Sequence, residues 1–164
     1  HTVQRKNAKY ININPNGICD ACLHSEDKNK NINWTERENE LEKLLDKHRK
    51  KNGEYDCVVP GSGGKDSAFV SHILKYKYGM NPLTVTWAPH IYTQIGWENF
   101  QAKIASGFTN ILCSPNGKFQ RKLARLCLEE LGDAFHVFVL GQINCPLHIA
   151  EKFKIPLIFH GEKG

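Results

Sequence analysis

The chain has 164 residues, 40% of them hydrophobic and 24% charged, which leaves room for one substantial core and matches an ordinary globular composition. No apolar run is long enough to cross a bilayer, and His1 to Tyr10 are too polar and basic for a secretory leader, so a cytoplasmic protein with no membrane segment is expected. The net charge of +5 suits an anionic ligand, but the densest basic run (Lys47, Arg49, Lys50, Lys51) ends an expected helix rather than forming a stripe, so no nucleic-acid partner is expected.

Residues 1–33 are rich in Asn, Lys and Gly, lack periodicity and carry Cys19 and Cys22 as a CxxC pair; they are expected to form an irregular appendage. Residues 34–164 are expected to form the main domain. Thr35-Glu36-Arg37-Glu38 reads as a capping box opening a helix to about Arg49, with Trp34, Leu41, Leu44 and Leu45 on one face. Strands are predicted at Tyr55–Val59, Leu83–Trp87, Asn110–Cys113 and Ile155–Phe159. Helices are predicted at Asp66–Tyr78, with Phe69, Val70, Ile73 and Leu74 inward, and at Gln94–Ser106. Two more are predicted at Lys118–Leu131, with Phe119, Leu123, Leu126 and Cys127 on the apolar side, and at Pro146–Phe153. His136–Leu140 reads as a fourth strand or the opening of a turn. This alternation predicts an α/β domain with a doubly wound, mainly parallel sheet, which binds ligands beyond the carboxyl ends of its strands. The chain has no initial Met (its one Met is Met80) and breaks off behind a strand-like run, so it reads as a piece of something longer, truncated at its C-terminus.

Gly61-Ser62-Gly63-Gly64-Lys65-Asp66-Ser67 joins the first strand to its helix. Glycines let backbone N–H groups curl inward, and the helix adds its positive end, so the turn is an anion site. Lys65 contributes a charge, and Ser62 and Ser67 contribute hydroxyls. The Walker A pattern fails because Asp66 follows Gly64-Lys65 and Val59 stands five before Gly64. The dinucleotide pattern fails because Asp66 stands where its third glycine belongs.

Ser62 to Ser67 instead match in full the signature of the PP-loop ATP pyrophosphatases, an adenine nucleotide alpha hydrolase-like fold. The resemblance implies that Ser62, Gly63, Gly64, Lys65, Asp66 and Ser67 bind ATP, with Lys65 and Asp66 catalytic and Asp66 holding Mg2+. It also implies that Trp87, with Ala88 and Pro89, sits against adenine. Further motifs occur in order: Asn16-Gly17-Ile18-Cys19-Asp20-Ala21-Cys22, Trp34-Thr35-Glu36-Arg37, Tyr55 to Pro60, Gly79 to Leu83, Gly96-x-x-Asn99, Ile155 to Ile158, and Gly161-Glu162. Together they resemble the N-acetyl sugar amidotransferases of surface-polysaccharide (LPS) and flagellin-glycan synthesis, including the pseudaminic and legionaminic acid type. That resemblance implies adenylation of an acetamido oxygen, release of AMP and pyrophosphate, and ammonia from a glutaminase partner. No Cys here sits in a G-x-C-x-G elbow, so the glutaminase is expected on another chain. His160 and Glu162 are the substrate-site candidates.

Cys19 and Cys22 supply one zinc knuckle, and Zn2+ would need two more ligands, His24 or another Cys among them. The family usually carries a further CxxC upstream. Cys57, Cys113 and Cys127 lie in apolar stretches and read as core. Cys145 reads as a small buried residue, with a persulfide carrier as the other reading. A PP-loop tRNA thiolation enzyme and an inactive ATP-binding module are the competing functions.

Overall fold

The computed structural model describes residues 12–161, so Glu162 lies outside them. The chain divides into two compact units, His1–Leu41 and Glu42–Gly164.

In the first unit, Asn14 makes an Asx turn: its side-chain oxygen accepts from the N–H groups of Asn16 (3.0 Å) and Ile18 (2.9 Å). Gly17 takes φ +75°, and Ile13 forms an antiparallel bridge with Cys19. The next segment departs from the expected irregular course. Asp20–Asn31 is a helix, α1, free of Gly and Pro, with Asp20 in its first turn and Lys28 and Lys30 in its last. None of its residues is buried, so local preference and end charges make it rather than packing. Helix α2, Trp34–His48, spans the boundary between the units. The capping box at Thr35 is not used. Asn33 takes that place, its Oδ1 accepting from the Glu36 N–H at 3.2 Å, and this makes Trp34 helical and exposed. Of the face expected to be apolar, Leu45 is fully buried whereas Leu44 is exposed.

The second unit is mixed α/β. Three parallel strands, β1 (Cys57–Pro60), β2 (Pro82–Trp87) and β3 (Asn110–Cys113), stand in that order. Val58 aligns with Leu83, and Thr84 with Asn110. Asp56, almost wholly buried, pins the start of β1: its carboxylate accepts from the Asn81 N–H at 2.8 Å, and its own N–H donates to the Asn81 carbonyl. Helix α3 (Lys65–His72), closed by a π turn at Ile73–Lys77, connects β1 to β2, and α4 (Gln94–Ala105) connects β2 to β3. Helices α5 (Gly117–Leu131) and α6 (His136–Lys152) follow. The chain then returns past α6 to the free edge of β1. The Val58 N–H donates to the Leu157 carbonyl, and the Phe159 N–H to the Val58 carbonyl, each at 2.9 Å. Residues 157–159 therefore lie parallel to β1, although only Ile158 forms a bridge there, and the expected last strand shrinks to that contact.

One sheet face carries Val58, Leu83 and Val85, packed with Cys145 and Ala150 of α6 and with Ile155. Burying this cluster stabilises the unit at about 25 cal/mol per Å² of apolar surface removed from water. Several expectations change. His136–Leu140 is not a strand but the first turns of α6, and Pro146 lies inside that helix rather than at its start. A proline interior to a helix loses one backbone bond, a loss offset here by complete burial of its ring. Phe69 is 65% exposed; Leu74 is buried as expected, Val70 and Ile73 are half-buried, and Ser71 joins the inward face in place of Phe69. On α5, Phe119 and Leu126 are exposed while Gln120 is buried. Cys57 is in the core as expected, whereas Cys113 and Cys127 are only half-buried.

Candidate nucleotide-phosphate site

The loop after β1 stands where the strand order reverses, because the chain builds outward to β2 and β3 and later returns to the opposite edge of β1. The carboxyl ends of strands at such a reversal flank a crevice. The loop is tied down at its first residue. The Gly61 N–H donates to the Val85 carbonyl at 2.9 Å, and the Thr86 hydroxyl donates to the Gly61 carbonyl. Asn110 in turn donates to both Thr84 and Thr86 hydroxyls, so β3 braces the threonine that holds the loop.

Each glycine has its own reason. A Cβ on Gly61 would collide with the side chain of Ser67. Gly63 has φ +96°, and a Cβ there would lie 2.9 Å from the backbone of Phe100 on α4. Gly64, at the N-cap of α3, faces open space with nothing within 4 Å. The loop is thus tight against protein on one side and open on the other. Gly161 closes a further side, since a Cβ on it would stand 2.7 Å from the Ser67 N and 2.8 Å from the Asp66 carbonyl carbon. The first turn of α3 offers N–H groups that have no partner within the helix.

Lys65 and Asp66 open α3. Lys65 is 87% exposed on its side chain and pairs with the Asp66 carboxylate at 2.8 Å, a surface pair that adds little stability and breaks readily. The Ser67 hydroxyl donates to the Gly64 carbonyl at 3.1 Å, and Ser62 is exposed. The structure thus brings Ser62, Gly63, Gly64, Lys65, Asp66 and Ser67 into one turn, with the exposed His160 next to Gly161. Trp87 closes β2; its indole rests on Gly141 of α6, where any side chain would clash, and its Nε1–H is buried without a hydrogen-bond partner among the described residues.

Sequence reading missed Lys103 of α4. It is 5% exposed, and its Nζ has no hydrogen-bond partner among the described residues. Burial lowers its amine to about 8. A Cβ on Gly61 would lie 3.1 Å from that Nζ, which places the amine at the rear of the loop.

Cys19 and Cys22 flank the start of α1 with their sulfurs 3.5 Å apart. The Cys22 backbone, followed by its thiol, lowers the Cys19 thiol, while Cys19 raises that of Cys22. Among the described residues no group of three or more His, Cys, Asp or Glu gathers to hold a metal, so these two thiols do not make a complete zinc site by themselves. Cys145 is buried, and burial followed by the Cys113 thiol pushes it up to about 12. No helix among the described residues is long and apolar enough to cross a membrane.

No family model matches the chain. The chain is similar to the uncharacterized protein MJ1599 of Methanocaldococcus jannaschii, at 36% identity over 85 residues, 52% of this chain and 29% of that relative. It thus spans under a third of the relative's length.

Proposed function

We propose that the chain is the ATP-splitting part of an N-acetyl sugar amidotransferase with a doubly wound PP-loop fold. The observation that carries this reading is the glycine loop at the reversal of strand order, closed by protein behind Gly61 and Gly63 and open at Gly64. A loop so built fits the pyrophosphate end of ATP, and the resemblance of the flanking motifs supplies the substrate class.

The chemistry follows from what an amide lacks. Its oxygen leaves poorly, so ammonia cannot displace it. Attack of the acetamido oxygen on the α-phosphorus of ATP forms a new P–O bond and breaks the bond to the β-phosphate, releasing pyrophosphate. Ammonia from a glutaminase partner then adds to the imidate carbon, AMP leaves with the oxygen, and loss of a nitrogen proton gives the acetamidine. Lys65, paired with Asp66 at the surface, would turn to the phosphates and offset charge on the leaving pyrophosphate. Asp66, relieved of Lys65, would be the carboxylate that holds magnesium, and the metal would supply charge neutralisation. Ser62 and Ser67 add hydroxyl donors. By the resemblance, Trp87 would lie on the adenine side and His160 on the sugar side, with Glu162 carried over from the sequence alone. In a longer chain Cys19 and Cys22 would be half of a zinc knuckle. The thiolation reading asks for a reactive thiolate, and Cys145, pushed up to about 12, is a poor one.

The test incubates the full-length protein with ATP, magnesium, ammonium and a panel of N-acetylated sugars, followed by phosphorus NMR. AMP and pyrophosphate released with one sugar only are expected. ADP and phosphate would rule the mechanism out, and ATP binding with no turnover on any sugar would favour the inactive module.

A further inference from the structure

Resting on that reading of the loop, we propose that Lys103 is a second cation of the phosphate site, whose ammonium reaches past Gly61 and Ser67 to hold a phosphate oxygen when nucleotide is bound.

Three observations converge on it. The first is how α4 meets the loop. The Asn99–Phe100 backbone lies against Gly63, and Lys103 stands three and four residues further on, so the same helix face presents Nζ to Gly61. A side chain at Gly63 would push the α4 backbone away, and one at Gly61 would meet Ser67 first and the Lys103 ammonium next. The second is the state of the amine. A lysine kept only for its aliphatic stem sends its ammonium to water. Lys103 does not: it is 5% exposed with Nζ sealed off. The third is its lack of a counter-charge. The carboxylate of the loop, Asp66, is engaged by Lys65, and Nζ of Lys103 has no hydrogen-bond partner among the described residues. A buried, unpaired ammonium is costly, and an incoming anion is the group that repays the cost. With its amine lowered to about 8, Lys103 is still mostly protonated near neutral pH.

The two lysines would then act differently. Lys65 is exposed and meets the anion from the solvent side. Lys103 is fixed and meets it from within the protein, where a charge interaction is less screened.

Calorimetric titration of the full-length protein with magnesium pyrophosphate and with ATP separates the cases. Lys103→Met is expected to weaken both at least tenfold, as loss of a charge-assisted hydrogen bond does, while the unliganded protein melts no lower than the parent. Affinity within twofold of the parent overturns the proposal. Parent protein that binds neither ligand overturns it together with the function above. Binding that is lost in Lys65→Ala yet untouched in Lys103→Met removes this proposal alone. If Lys103→Met does not fold, the parent is titrated at pH 8.5 in two buffers of different ionisation enthalpy. Among the described residues, Lys65 and Asp66 lie in the loop, Glu98 precedes the Asn99–Phe100 backbone that abuts Gly63, and His160 precedes Gly161. Proton uptake on binding that persists in His160→Ala is expected, and no uptake overturns the proposal.

Discussion

Gly17 and Gly63 both stand at positive φ, +75° and +96°, a few residues before a helix begins. Around Gly17 the hydrogen bonds are local: Asn14 closes the turn on Asn16 and Ile18, and a Cβ on Gly17 would meet nothing within 4 Å. Around Gly63 the partners come from far along the chain. Val85 and Thr86 hold Gly61, Phe100 abuts Gly63, and Gly161 covers Ser67. The first turn shapes a helix start and leaves two thiols side by side. The second gains walls, and walls turn an N-terminal helix end into a selective anion site. A turn motif specifies backbone geometry; its distant neighbours decide whether that geometry can hold anything.

The contrast can be broken first through chemistry. Lys65→Ala should lower AMP and pyrophosphate release about 10²–10³-fold, the usual cost of removing a group that offsets charge in the transition state. Cys19→Ser with Cys22→Ser should leave the rate within about twofold, since neither thiol belongs to the loop. Next comes stability. Gly63→Val combines a left-handed backbone with a 2.9 Å approach to Phe100, and should cost about 3 kcal/mol in urea unfolding. Gly17→Val carries only the backbone cost and should lose about 1 kcal/mol.

A pH series sharpens the comparison further. The amine of Lys103 falls from 10.5 to about 8 on folding, so between these values the unfolded chain holds more protons. Stability should therefore climb as pH rises from about 8 toward 10.5, by on the order of 3 kcal/mol at most, and the burial penalty is fully present below 8. Lys103→Met should flatten that climb in denaturant melts without added anion. The smallest effect is expected at the cysteine pair: the double serine variant should shift the unfolding of the second unit by under about 0.5 kcal/mol.

Much of the loop was legible because its constraints are local. Two adjacent glycines, a lysine, an aspartate and flanking hydroxyls between a β-favouring run and a helical one leave few other geometries. The parallel strands were legible for the same reason, being short apolar runs punctuated by Pro60, Gly79 and Gly107. Helix α6 was not. Pro146 read as a helix start, yet it lies inside the helix and is buried whole, and Gly141 upstream of it makes room for the Trp87 indole. Lys103 was illegible because a lysine beside Ala102 near a helix end looks like any solvated one, and only the packing of α4 on the loop takes it from water. Cys19 and Cys22 were legible as a pair, but no spacing rule announced the helix that follows, in which nothing is buried.

The strip at residues 157–159 has a consequence for how the molecule comes into being. It is the last described piece of the sheet in chain order, and it occupies the edge of β1, the first strand among the described residues. A chain emerging from the ribosome therefore carries β1 with one unpaired flank through the synthesis of α3, β2, α4, β3, α5 and α6. An open flank of that kind invites pairing with other chains. Gly161, which covers the start of α3, arrives after all of them. Nascent protein therefore cannot bring Gly161 against Ser67 until this strip is made, and on the proposed function ligand added during refolding should protect the chain only once the strip has docked.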